Sequence, residues 1–254
     1  MHIESCGKGP DLVLIHGWAM HSGIFAPLTQ LLAKKFRVHC VDLPGHGYSR
    51  DSNKPLDIAD CAHAIVDKIP AAAWVGWSLG GLISLHAAVR YFPHVKFIVQ
   101  IATSPRFVIA SDWLCGADSE VFRQFVADLK NDYHRTIDRF LALEAYGSDH
   151  AQAELRELKA HVFDRGEPSL QVLEEGLKIL EQTDMRSYLG KLSTPSLWIA
   201  GRRDRLISPD AMRWAAAHSP QGKYLETSAG HAPFISHADE VATAISQFAE
   251  NISQ

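Results

Sequence analysis

Gly76-Trp77-Ser78-Leu79-Gly80 sets a serine between two glycines, directly after the apolar run 71–75 and directly before the helical pattern 82–91. G-x-S-x-G at a strand-to-helix turn is a nucleophile elbow. Such a turn holds the nucleophile in a strained backbone conformation, so Gly76 and Gly80 must lack side chains to avoid clashes. Ser78 then stands at the carboxyl edge of a sheet and at the start of a helix, whose dipole favours negative charge. A serine needs a base to take its proton, and the base needs an acid to orient it. Asp204 follows the apolar run 197–200, and His231 lies in Gly230-His231-Ala232-Pro233-Phe234, after a short strand pattern at 224–226. Ser78, Asp204 and His231 are therefore the expected nucleophile, acid and base. Asp184 and Asp210 compete less well as the acid, because one lies in a helical stretch and the other starts a helix after Pro209. His218 and His237 sit in or beside helices and read as surface residues. A neutral His231 is required as base, so the rate should rise with pH through an apparent pKa near about 6.5.

The oxyanion of ester hydrolysis needs two backbone N–H donors. Leu79 supplies one, and Trp18, in the loop His16-Gly17-Trp18-Ala19 after the first long apolar strand, is expected to supply the other and to wall the acyl pocket. The segment from Asp42 to Ser49 reads as a structural turn, and Ser49 lacks the second glycine of an elbow. Cys6, Cys40, Cys61 and Cys115 form no C-x-x-C pair, and the fourteen histidines include no H-E-x-x-H. No metal and no cofactor are expected.

The elements that must position these residues are legible as a rhythm. Leu12-Val13-Leu14-Ile15, Val38-His39-Cys40-Val41, Ala72-Ala73-Trp74-Val75, Phe97-Ile98-Val99-Gln100-Ile101 and Leu197-Trp198-Ile199-Ala200 read as buried parallel strands. Amphipathic stretches at 25–35, 58–69, 82–91 and 239–250 alternate with them. The expected fold is α/β, a mostly parallel sheet flanked by helices. From about 118 to 184 only helical periodicity remains, punctuated at Gly147-Ser148-Asp149 and Arg165-Gly166-Glu167-Pro168, with Ser148 and Asp149 as plausible helix caps. The expected organisation is a core over 1–110 and 191–254, interrupted by a four-helix lid over 111–190.

Composition narrows the class. The chain has 254 residues, 46% of them apolar and 21% charged, which fits one α/β domain with an insertion. Its 25 Lys and Arg stand against 29 Asp and Glu, a net charge of -4, so no overall basic field draws nucleic acid or an anionic membrane. No basic-then-apolar leader opens the sequence, and no apolar run is long enough to span a bilayer. A monomeric cytoplasmic enzyme is expected.

Taken together, the motifs resemble the α/β-hydrolase superfamily along nearly the whole chain, including the order Ser, Asp, His. His16-Gly17-Trp18, Gly76-Trp77-Ser78-Leu79-Gly80-Gly81, Arg139-Phe140-Leu141-Ala142-Leu143 and His231-Ala232-Pro233-Phe234-Ile235-Ser236-His237 are similar to the pimeloyl-[acyl-carrier protein] methyl ester esterase family of biotin biosynthesis. The resemblance implies hydrolysis of a methyl ester on a pimeloyl chain borne by acyl-carrier protein, releasing methanol. It implies substrate contacts along Phe140, Leu141, Ala142, Leu143 and Glu144, the last standing where the family motif has glutamine. It also implies that Arg135, Arg139 and Arg156 face the carrier, with Gln152 at a further position that is basic in the family. The stretch 120–165 holds seven Lys and Arg and nine Asp and Glu, which also fits a solvated mixed-charge surface. A broad short-chain carboxylesterase, a carbon–carbon bond hydrolase and a non-catalytic ligand receptor would all fit the same triad. Serine at position 78 disfavours chemistry that needs a carboxylate nucleophile.

Overall fold

The computed structural model describes residues 1–252. Among them, β1 (His2–Cys6), β2 (Asp11–Ile15), β3 (Arg37–Asp42), β4 (Ala72–Trp77), β5 (Val95–Ile101), β6 (Ser196–Gly201) and β7 (Gly222–Thr227) form one sheet in the order β1-β3-β2-β4-β5-β6-β7. Every neighbouring pair is parallel except β1 with β3. β4 and β6 are buried at every residue, which is why they read as continuous apolar runs. β1 is the strand that the sequence did not announce. It is an edge strand of exposed and half-buried residues, fixed by its register on β3 (His2 opposite Asp42, Cys6 opposite Val38) and not by apolar patterning.

Helices flank the sheet. α1 (Ala26–Leu32), α2 (Ile58–Val66) and α3 (Leu79–Arg90) connect the first strands. Between β5 and β6 come four long helices, α4 (Ser119–Asn131), α5 (Tyr133–Ala145), α6 (Ala151–His161) and α7 (Leu170–Gln182), followed by the short α8 (Arg186–Leu189). α9 (Pro209–Ala217), α10 (Pro233–Ser236) and α11 (Ala238–Ile252) complete the chain. α11 buries Val241, Ala242, Ile245 and Phe248, a stripe at helical spacing. Among these helices none is long and apolar enough to cross a membrane.

Side chains set the starts of the inserted helices. The carboxylates of Asp118 and Asp132 accept from Glu120 N and Arg135 N, and the Ser169 hydroxyl accepts from Val172 N. The expected caps of α6 are a correction: its N-cap is His150, with no side-chain bond. Ser148 Oγ donates instead to Glu154 Oε1 (2.7 Å), and Asp149 pairs with Arg203. Asp149 is drawn away by a distant partner, whereas Ser148 bonds within its own segment, donating to Glu154 on α6 and accepting from His150 N (3.2 Å).

The insertion is tied to the sheet at several points. Trp18 Nε1 donates to the Leu173 carbonyl on α7 (2.8 Å). Arg165, in the turn after α6, reaches Glu4 on β1 (3.1 Å) and the buried Asp42 at the end of β3 (3.4 Å), and lies over the Tyr48 ring (4.4 Å). His21 Nε2 lies 2.5 Å from the His161 carbonyl oxygen and 2.7 Å from Asp164 Oδ1. Where β4 meets α3 the packing is tightest: a β-carbon on Gly80 would lie 2.3 Å from the Ile15 carbonyl oxygen, backbone that cannot swing aside. Gly80→Ala should therefore cost about 1–3 kcal/mol of stability, read as a lower urea midpoint with unchanged slope.

Candidate active site

Ser78 is the residue between β4 and α3, and its backbone has φ 51° and ψ -115°. That is the left-handed side of the map, costly for a residue with a β-carbon. Three hydrogen bonds hold it there: Ser78 N donates to the Ile101 carbonyl (3.0 Å), and the Ser78 carbonyl accepts from Gly81 N (2.9 Å) and from Thr103 Oγ1 (2.7 Å). Leu79 opens α3, so its N–H is among the first four of the helix, which have no intrahelical acceptor. Alongside, in the loop after β2, His16 Nε2 accepts from Leu43 N (3.0 Å) and Nδ1 donates to the Gly17 carbonyl (2.8 Å). Burial and the neighbouring His46 push the His16 imidazole down to about 3, so it stays neutral and keeps this tautomer. Trp18 is thereby held beside the elbow, and the next residue, Ala19, also lies at positive φ (62°).

Asp204, in the loop after β6, and His231, in the loop after β7, meet through a buried hydrogen bond from His231 Nδ1 to Asp204 Oδ2 (2.8 Å). Asp204 Oδ1 accepts from Leu206 N (2.8 Å) and Ile207 N (3.0 Å), which aims the carboxylate. The loop of His231 is fixed twice more: Trp77 Nε1 donates to the His231 carbonyl (2.8 Å), and His231 N donates to the Glu144 carbonyl (3.1 Å). His231 Nε2 has no hydrogen-bond partner and faces the cavity that Ser78 also lines. Burial pushes the His231 imidazole down, but the charge and hydrogen bond of Asp204 outweigh it and leave the group above the ordinary histidine value. The expectation of an apparent pKa near about 6.5 thus moves upward.

The rival groups lie elsewhere. Asp184 is gripped by Arg106 (2.6 Å) and Arg186 (2.7 Å), whose hydrogen bonds hold it well below the usual carboxylate range. Asp210 pairs with Arg213, His218 stacks on Trp214, and His237 bonds to Ser236. A serine at a strained elbow and a histidine backed by a buried carboxylate, facing one cavity, can carry out acyl transfer by nucleophilic attack with general base help.

The α/β hydrolase fold family matches residues 10–238. The pimeloyl-[acyl-carrier protein] methyl ester esterase of Stenotrophomonas maltophilia (strain R551-3) is 52% identical over 254 residues, covering 100% of this chain and 98% of that protein. The protein of the same name from Xanthomonas campestris pv. campestris (strain B100) is 52% identical over 249 residues, covering 98% of each chain. The chain belongs to the pimeloyl-[acyl-carrier protein] methyl ester esterases, within the α/β hydrolases. Solved structures agree on the fold. An esterase from Exiguobacterium antarcticum superposes with a TM-score of 0.85 at 19% identity, covering 100% of this chain and 95% of that one. The enol-lactonase from Burkholderia xenovorans LB400 gives 0.85 at 21% identity, covering 98% and 96%.

In this esterase the cavity over Ser78 and His231 measures about 280 Å³. Its wall is largely apolar: the Trp18 ring meets Phe140 edge-on (4.7 Å), and Phe125 stands 6.1 Å from Phe140. Of the five residues named on α5, Phe140 and Leu143 line the cavity. Leu141 and Glu144 are buried off its wall, and Ala142 is exposed on the outer side, because one helix face cannot turn five consecutive side chains to one cavity. Val121, Phe122, Phe125, Leu177 and Leu180, on α4 and α7, add to the wall, together with Phe107, Ala117 and the Arg205-Leu206-Ile207 run. Sequence reading had most of the apolar ones only as helix periodicity. Arg205 it missed, though the position directly after Asp204 was a signal.

The three arginines named for the carrier are exposed. Arg139 is bonded to Asp128 (2.5 Å) and lies over the Phe125 ring (4.9 Å). Arg135 shares a surface hollow with Asp128, Asp132 and Asp138, whereas Arg156 on α6 forms no ion pair among the described residues. The histidine environment gives a test. kcat/KM on a chromogenic ester should rise with pH through an apparent pKa above 6.5. Asp204→Asn removes the charge that raises it, so this limb should shift to lower pH while kcat falls by roughly 10⁴.

Proposed function

We propose that this enzyme hydrolyses the methyl ester of pimeloyl-[acyl-carrier protein] in biotin biosynthesis, freeing the pimeloyl carboxylate and methanol. The observation that carries this is the full-length, 52% identity to esterases of that name. The largely apolar cavity that Ser78 and His231 line supports it, because a polymethylene chain fits such a wall without leaving polar groups unpaired.

In this reading Ser78 Oγ attacks the ester carbonyl while His231 Nε2 takes its proton. The tetrahedral oxyanion is received by the N–H groups of Trp18 and Leu79. As the C–O bond to methoxide breaks, His231 returns the proton and methanol leaves. A water then attacks the acyl-serine, again with His231 as base, and releases the carboxylate and free Ser78. Asp204 orients His231 and stabilises its imidazolium. Phe140 and Leu143 contact the acyl chain. The segment 111–190 acts as a lid on the core formed by 1–110 and 191–254. Four free cysteines support action in the reducing cytoplasm.

Carrier proteins of this kind are acidic and the enzyme is net negative, so attraction must come from a local basic face. Arg156 is the cleanest candidate on it, followed by Arg135, because Arg139 already serves Asp128. Purified Ser78→Ala should lose on the order of 10⁵–10⁶ in kcat on any ester while keeping its fold; near-normal turnover would sink the mechanism. Arg156→Glu should lower kcat/KM several-fold on the carrier-linked methyl ester and leave a small free methyl ester almost untouched, with added salt narrowing the difference. Equal rates for wild type and variant on both substrates would favour a general carboxylesterase.

A further inference from the structure

Behind His231 lies a second acidic group that the mechanism does not use. Glu144, in the last turn of α5, is 1% exposed, and its Oε2 has no hydrogen-bond partner. Its main-chain carbonyl is the acceptor of the His231 N–H. Glu154 on α6 is fully buried as well, with Oε1 taken by Ser148 Oγ and Oε2 unpartnered. A β-carbon on Gly230 would lie 3.0 Å from the Glu144 carbonyl oxygen and 3.6 Å from Glu154 Oε2, so the Glu144 main chain and the Glu154 carboxyl back the Gly230–His231 turn.

The groups around Glu144 do not neutralise a charge there. From the loop after β6 come Asp204, Arg203 and Arg205. Arg203 is committed to Asp149 and the Gly147 carbonyl, and Arg205 lies over the Tyr146 ring (5.8 Å). From the loop after β7 comes His231 itself, whose proton partner is Asp204. α6 contributes Glu154, and the His150–His237 ring pair (5.8 Å) closes the α10 side. No ion pair reaches either glutamate among the described residues. A carboxylate in this position would be buried and unpaired, a costly state that proteins avoid by keeping the proton or admitting water. Burial pushes the Glu144 carboxyl up to about 8; His231 pulls the other way, and Asp204 adds to the rise.

We propose that Glu144 is a positioning residue for His231 that works only as the uncharged acid: once ionised it must be hydrated, and the α5 turn that holds the His231 N–H opens. The proposal rests on the reading of His231 as the base. It makes the lid a part of the histidine's mounting, and it gives the enzyme an alkaline limit that the serine, histidine and aspartate alone do not impose.

The test is the full pH profile of kcat/KM on a chromogenic ester, from pH 5 to 9.5, for wild type, Glu144→Gln and Glu144→Met. Wild type should fall above about pH 8, approaching tenfold per pH unit, with far-UV circular dichroism unchanged and activity recovered on return to neutral pH. Both variants, unable to ionise, should keep the rising limb and lose the falling one. Thermal stability gives a reading independent of turnover. A carboxyl whose folded-state pKa is raised lends stability that is lost as pH rises from the unfolded value near 4.5 through about 8. The Tm of Glu144→Gln relative to wild type should therefore climb over that interval. A flat wild-type profile to pH 9.5, a decline shared by both variants, or a Tm difference that does not change with pH would overturn the proposal. His231→Ala, run in the same assay, separates the two claims: if it stays active, the reading of the base fails; if it is inactive and the profiles are flat, the role of Glu144 fails alone.

Discussion

A serine held at φ 51° is the constraint around which this molecule is arranged. The conformation is unfavourable in isolation and persists only because the surroundings over-determine it. β5 takes the Ser78 N–H, Thr103 takes its carbonyl, and α3 begins one residue later. Close approach of Gly80 to the end of β2 allows the helix to start directly against the sheet. The central, fully buried position of β4 follows from this, since an edge strand would lack the neighbours needed to hold the turn.

Around that fixed point the acid–base pair is assembled from loops far apart in sequence. β6 and β7 lie side by side in parallel register, Ser196 opposite Gly222 through Gly201 opposite Thr227. Their carboxyl ends therefore deliver Asp204 and His231 to hydrogen-bonding distance. Two backbone amides aim Asp204, and two bonds hold the His231 loop, one from Trp77 beside the nucleophile and one to Glu144 in the insertion. The histidine is thus located by the strand that carries the serine and by the helices that cover it.

The insertion is bound to the core as well as placed above it. Its contacts include three places: the Arg165, His161 and Asp164 corner on β1, β3 and His21, α7 on Trp18 and Leu56, and the α5–α6 corner on the loops of Asp204 and His231. Between them α4, α5 and α7 present aromatic and aliphatic side chains to the cavity. That largely apolar wall reaches Ser78 and His231, which line the same cavity.

Much of this was legible in the amino-acid order. Continuous apolar runs marked five strands and a short pattern at 224–226 a sixth, the glycines around Ser78 marked the elbow, and the order of Ser78, Asp204 and His231 at strand ends marked the candidate triad, because each signal is local. The length and helical content of the insertion were equally plain, since amphipathic periodicity survives without knowledge of a partner. Tertiary structure alone decided the rest. β1 is a strand only through its pairing with β3, and Asp149 is taken by Arg203 on the loop after β6. Arg139 was drawn into an ion pair with Asp128, eleven positions away on another helix. Of five consecutive residues on α5, helix geometry turned Phe140 and Leu143 toward the cavity, left Ala142 outside, and set Glu144 behind His231. Its burial, and so its charge, depends on how α5, α6 and two loops close on one another. Spacing along the chain carries no measure of that, because desolvation is a property of the packed volume and not of the sequence neighbours.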